Sequence, residues 1–233
     1  MPDPLRIYFA GELFSAKHLL GNAVLAEEIF HRSQERYLPV LPQNLEQRER
    51  HAHEIRDQDL LTLFDCHVGI FHYDGPELDS GTVVEFCFAK MADIPSVLVR
   101  TDFRFGGDQA KDGEPWNLMS SYFPRTKTVV LPSMEAYKDA AEDSGGLGAD
   151  HLDDLRRRRS SAVALSNQQS AADQLIAALD EVCRMQPVLP ASDYDALYRS
   201  LALLPGFRAG QERFDWKSCL AEKRKRGLLP EKP

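Results

Sequence analysis

The chain has 233 residues, 43% of them hydrophobic, with 28 Lys and Arg against 36 Asp and Glu for a net charge of −8. That length holds one α/β domain, or one domain plus an appendage. The acidic balance disfavours nucleic acid and anionic membrane as partners. The four cysteines (Cys66, Cys87, Cys183, Cys219) are scattered without metal spacing and read as reduced thiols of a cytosolic, cytoplasmic protein. Met1-Pro2-Asp3-Pro4 has neither the basic start nor the apolar run of a secretory signal, and no stretch reaches the length of a membrane span.

In chain order, Leu5–Ala10 reads as a strand ending at Gly11, followed by a helical pattern from Lys17 to about Arg36. Tyr37–Leu41 is a short strand stopped by Pro42. The stretch from Glu46 to Phe64 turns amphipathic, with Ile55, Leu60, Leu61 and Phe64 inward. His67–Tyr73 is a third strand, Gly81–Met91 a helix, Ser96–Arg100 a fourth strand and Thr126–Leu131 a fifth. Helices are predicted at Met134–Ala141 and Ser166–Arg184. Alternating strands and helices imply parallel pairing with right-handed crossovers. The expected fold is a flavodoxin-like or Rossmann-like doubly wound sheet of five parallel strands, with helices on both faces and a C-terminal helical tail. In such sheets ligands lie beyond the C-terminal strand ends. The loops at Gly11-Glu12, Pro42-Gln43, Asp74–Ser80 and Thr101–Arg104 all fall on that edge.

The expected catalytic domain is 1–186, and 187–233 an extension that is helical or partly disordered, with a short helical pattern at Asp193–Leu204. Residues 143–161, with Gly145-Gly146, Gly148 and the run Arg156–Arg159, read as a flexible linker or an insertion. Phe103–Pro124 is too long for a simple connection, and its aromatics make it the expected cover of a site. The basic run Lys223–Arg226 is a weak signal on an acidic chain.

The chain is organised around Asp74–Phe86. Gly75-Pro76 breaks the preceding strand, and Asp79 or Ser80 can cap a new helix. From Val83 to Ala89 that helix is apolar except for Glu85, and an all-apolar helix is expected to be buried on every side. A buried carboxylate costs several kcal/mol unless partners meet it, although the helix N-terminus favours its ionised form. Small neighbours at Gly81 and Ala89 leave room before it. Glu85 therefore reads as a placed nucleophile or base rather than a surface charge. The glycine-rich phosphate loop and the Gly-x-Ser-x-Gly elbow are both missing. No metal site is assigned to His51, His53 or His72, and no cofactor is called for. Asp57, Asp79 and Glu85, with Tyr8 and Gln43 at strand ends, equip the chain for retaining glycosyl transfer. One carboxylate attacks the anomeric carbon, another group protonates the leaving group, and a phenol positions the nucleophile.

In these motifs the chain resembles the nucleoside 2-deoxyribosyltransferases. The resemblance is carried by Ile7–Phe14, by Asp57 eight residues before Asp65-Cys66, by Asp79–Phe86, by Arg100–Arg104 and by Trp116–Met119, in order over about residues 5 to 185. It implies Glu85 as nucleophile, Tyr8 as the residue that orients it, and Asp57 and Gln43 as contacts to the base, with Asp57 a proton donor. It implies Asp79 and Asn117 as the pair holding sugar hydroxyls, the Asn coming from a neighbouring subunit of a homo-oligomer. The implied substrates are a deoxynucleoside and a free nucleobase. Two alternatives are an N-glycosidic hydrolase of a nucleoside or nucleoside 5′-monophosphate and a non-catalytic nucleoside sensor. The acidic and apolar Gly11–Phe14 loop disfavours a phosphate.

Overall fold

A computed structural model of the chain describes residues 3–45, 51–102, 116–143, 151–157, 159–204 and 214–231. Five strands form one all-parallel sheet: β1 (Leu5–Ala10), β2 (Tyr37–Val40), β3 (Val68–His72), β4 (Ser96–Arg100) and β5 (Thr126–Val130), in the order β2-β1-β3-β4-β5. The order reverses direction at β1, which pairs with both β2 and β3. That junction is the place where a doubly wound sheet opens a ligand crevice. Pro39 lies in β2, an edge strand, where its missing N–H breaks no interior ladder.

Alternation along β1 divides the core. Tyr8 and Ala10 join a cluster with α2 (Ala52–Asp65) and α3 (Ser80–Met91), whereas Ile7 and Phe9 pack with α1 (Ala16–Arg32) and α6 (Arg159–Arg184) on the other face. The helix predicted to reach Arg36 stops at Arg32, because Gln34 and Glu35 adopt left-handed φ of 56° and 62°. After α4 (Ser133–Asp143), α5 (His151–Arg156) and the first residues of α6 occupy part of the stretch expected to be a flexible linker. Residues 144–150 of that stretch lie outside the described residues, as do 103–115 of the expected cover. The remainder of the latter holds a 3-10 turn at Leu118–Ser120 and the buried Trp116, whose indole N–H donates to Ser121 Oγ at 3.0 Å.

The C-terminal extension is built into the same core. Tyr194, Tyr198 and Leu201 of α7 (Tyr194–Leu201), and Cys219 and Leu220 of α8 (Trp216–Lys225), belong to the cluster that holds Phe64, Phe86 and Ala89. Tyr194 and Tyr198 donate to Asp93 Oδ2 and Ala92 O at 2.5 and 3.0 Å, and Lys223 Nζ donates to Cys66 O. Among the described residues, no helix is long and apolar enough to cross a membrane.

Candidate active site

The loop between β3 and α3 is fastened before α3 begins. Asp74 accepts from Thr101 N, Thr101 Oγ1 and Asp102 N at 2.5, 2.6 and 2.9 Å. The buried Arg100 guanidinium donates to Tyr73 O at 2.5 Å and Gly75 O at 3.2 Å. Gly75 has φ of +91°, a conformation a side chain would strain. Asp79 then caps α3, its Oδ2 accepting from Thr82 N at 2.7 Å and Thr82 Oγ1 at 2.9 Å. Sequence reasoning saw the break and the cap. It missed Arg100, Asp74 and Thr101 as the brace that fixes them, since their contacts join segments about 27 residues apart.

α3 presents two stripes. Thr82, Phe86 and Ala89 face the sheet. Gly81, Val84, Glu85 and Phe88, at i, i+3, i+4 and i+7, face a cleft of about 550 Å³. The opposite wall is a matching stripe of α2, Ala52, Ile55, Arg56 and Asp59, joined by Leu60 and by Leu204 from the extension. The helix is therefore not buried all round, as its composition suggested: Val84 is 50% exposed and Met91 56%. The space before Glu85 comes from Gly81, whereas Ala89 faces the core.

Tyr8, wholly buried at the sheet's switch point, donates its hydroxyl to Glu85 Oε1 at 2.7 Å across 77 residues of sequence. Burial, then the charge of Glu85, holds the Tyr8 hydroxyl well above the ordinary phenol range, so it remains a donor. Burial pushes the Glu85 carboxyl up to about 7, with Asp59 and Asp79 adding repulsion and the Tyr8 hydrogen bond opposing. The helix N-terminus does not overcome that burial. Burial likewise pushes the Asp59 carboxyl up to about 6. Two carboxyls displaced toward neutrality in one cleft are equipped for acid–base or nucleophilic work near pH 7.

The other sequence-predicted residues are placed as follows. Asp57 lies on the core-facing stripe of α2 with Leu60, Leu61 and Phe64, is 7% exposed, and has its Oδ1 taken by Arg56 (Nε at 2.9 Å). It does not line the Glu85 cleft; Asp59, two residues on and about 200° around the helix, does. Gln43, in a 3-10 turn at Pro42–Asn44, donates its carboxamide to Leu19 O at 3.0 Å and does not line the cleft either. Asn117 is exposed, its Oδ1 accepting from Met119 N at 2.9 Å, beside Leu118 (54% exposed) and Met119 (83%). His72 lines a separate polar cleft of about 400 Å³ on the opposite face of the sheet with His18, Asn22 and Gln168. Among the described residues, no three His, Cys, Asp or Glu side chains are grouped for a metal ion.

The Glu85 carboxyl carries a stability prediction. Its folded-state value lies above the ordinary 4.5, so the acid form favours the fold; this contribution is full below about 4.5 and is lost as pH rises through about 7. Ionisation at pH 8 costs the fold about 3 kcal/mol. Glu85→Gln is expected to melt about 8 °C higher than the parent at pH 8, with the difference vanishing near pH 4. Thermal melts at both pH values check this; equal melting at pH 8 would show that the carboxylate is solvated.

Comparison with known proteins adds the following. Residues 7–119, just under half of the chain, match the family model Nucleoside 2-deoxyribosyltransferase. No curated protein matches the chain. Among solved structures, it is similar to a conserved protein from Enterococcus faecalis V583 at 24% identity, over 55% of this chain and 92% of that one, with a TM-score of 0.46. It is also similar to a 2-desoxiribosyltransferase from Leishmania mexicana at 25% identity, over 57% and 93%, with a TM-score of 0.43.

Proposed function

We propose that this chain, whose residues 7–119 match the family model Nucleoside 2-deoxyribosyltransferase, moves 2-deoxyribose from one nucleobase to another through a covalent intermediate on Glu85. The observation that carries the reading is the hydrogen bond from the buried Tyr8 to Glu85, which lines a cleft together with Asp59. In the first half-reaction a Glu85 carboxylate oxygen attacks C1′ of the nucleoside. The C1′–N bond breaks, its electron pair passes to the base nitrogen, and a carboxylic acid supplies that nitrogen with a proton. In the second half, a nitrogen of the incoming base attacks C1′ and the sugar–Glu85 bond breaks. The carboxylate is regenerated and the proton of the new base returns to the acid. Two inversions give net retention.

Asp59 takes the role of that acid in place of Asp57, since it lines the cleft and its carboxyl is displaced toward neutrality. Tyr8 fixes the attacking oxygen; a sugar-hydroxyl role for Asp79, whose Oδ2 caps α3 and which is not among the residues lining the cleft, rests on the family resemblance alone. Because Glu85 must be ionised to attack while Asp59 must keep its proton, kcat/KM for the donor nucleoside is expected to peak between about pH 6 and 7 and to fall on either side. A flat acid limb down to pH 5 would contradict that.

The deciding assay supplies one deoxynucleoside and a different free base. Appearance of the exchanged deoxynucleoside supports transfer. Release of free sugar at a rate unaffected by saturating base makes the protein a hydrolase, and neither product makes it a binding protein. Asn117, with the exposed Leu118 and Met119 next to it in sequence, fits a site completed by a second copy of the chain. Separately made Glu85→Ala and Asn117→Ala proteins, mixed under conditions of proven subunit exchange, are expected to regain part of the wild-type activity. If the mixture stays dead, Asn117 does not act across an interface.

A further inference from the structure

The extension beyond residue 187 lies outside the matched family segment, yet one of its residues reaches the candidate site. α7 is tied at its start to the end of α3: Tyr194 donates to Asp93 Oδ2, Tyr198 donates to Ala92 O, and Val188 N donates to the same Asp93 oxygen at 2.9 Å. Asp93 is itself held by Arg125 at 3.2 Å, a pair buried from solvent. From that anchor the helix carries the chain about 10 Å at 1.5 Å per residue and delivers Leu204 to the cleft beside Gly81, Val84 and Glu85, which lie on the first half of α3. Leu201 and Ala202 are buried just before it, so its position is set by packing.

The cleft joins two chemistries. Glu85, Asp59 and the Arg56 guanidinium are its charged groups, while Ile55, Leu60, Val84, Phe88 and Leu204 are apolar. Of the two halves of a nucleoside, the sugar is studded with hydroxyls and the base is a flat ring with apolar faces. With C1′ at Glu85, the base is the part that apolar side chains can cover.

We infer that the C-terminal extension supplies, from the same chain, one wall of the base pocket, and that Leu204 sets whether a one-ring or a two-ring base fits. This rests on the transferase reading for what occupies the cleft. Specificity of this kind comes from van der Waals fit: added volume excludes the larger ligand sharply, and lost volume weakens the smaller one.

The test measures equilibrium binding of adenine and of thymine, separately, to the full chain and to its Leu204→Trp and Leu204→Ala forms. Leu204→Trp is expected to weaken adenine about tenfold more than thymine, and Leu204→Ala to shift the ratio the other way. The ratio of two affinities does not depend on the folded fraction, so partial destabilisation of either variant leaves the result readable. The same ratio in all three proteins, or no binding of either base by the wild type, overturns the inference. Exchange assays on the same proteins separate the two claims. An unaltered ratio with exchange intact removes the role of Leu204 alone. A shifted ratio without exchange removes the transferase and leaves a base-binding wall.

Discussion

Glu85→Ala is expected to lower base exchange by about 10³-fold or more, the scale seen when a covalent nucleophile is removed, while the protein stays folded. The expectation of an intact fold has a physical basis. Glu85 points into the cleft between α2 and α3, not into the sheet-facing stripe of Thr82, Phe86 and Ala89. Truncation there opens no cavity in the close-packed core and removes a carboxylate that burial disfavours. Its one cost is the Tyr8 hydroxyl, which loses its acceptor at 2.7 Å in a wholly buried position. Steady-state exchange and thermal melting of the purified variant decide the matter. Exchange within tenfold of the parent would remove Glu85 from the nucleophile's role.

The second large effect separates two aspartates two residues apart. Asp59→Asn is expected to reduce exchange by about 10²- to 10⁴-fold, since an amide cannot deliver a proton to the departing base. Asp57→Asn is expected to act mainly on stability, because it disturbs the ion pair with Arg56 on the core-facing side of α2. The losses should depend on the leaving group. Donors whose base departs readily without a proton should lose least in Asp59→Asn, whereas a purely structural defect would lower all donors equally. If Asp57→Asn instead shows the large, donor-dependent loss, α2 presents its other face to the substrate, and Asp57 regains the role that the sequence motif implied.

Those aspartates also mark where sequence reasoning stops. The five strands are legible because each is an apolar or β-branched run bounded by turn residues, and the parallel order follows from their alternation with helices. The Tyr8–Glu85 pair is legible too: a phenol closes the first strand, and a lone acid interrupts an apolar helix. Which of Asp57 and Asp59 faces the cleft is a matter of helix rotation. It is fixed by how Leu60, Leu61 and Phe64 seat α2 on the sheet, and neighbouring sequence does not carry that information. The extension was harder still. Tyr194 and Tyr198 bond to residues about a hundred positions earlier, and Leu204 comes to line the Glu85 cleft only through that docking. Residues read as a linker proved helical at 151–156 and from 159 onward, since the amphipathic stripe of α6 outweighs the charge of Arg156–Arg159.

The measurement that bears most directly on the account is the trapping of its intermediate. A deoxynucleoside carrying fluorine at C2′ disfavours positive charge at C1′ and slows release of the sugar from the enzyme. After incubation of the wild-type protein with this donor and no acceptor base, digestion and mass analysis should find one added fluorodeoxyribosyl group on the peptide that contains Glu85. Subsequent addition of a free base should discharge it as a new nucleoside. A label on any other residue, or an enzyme that exchanges bases and never acquires a label, would contradict covalent transfer through Glu85.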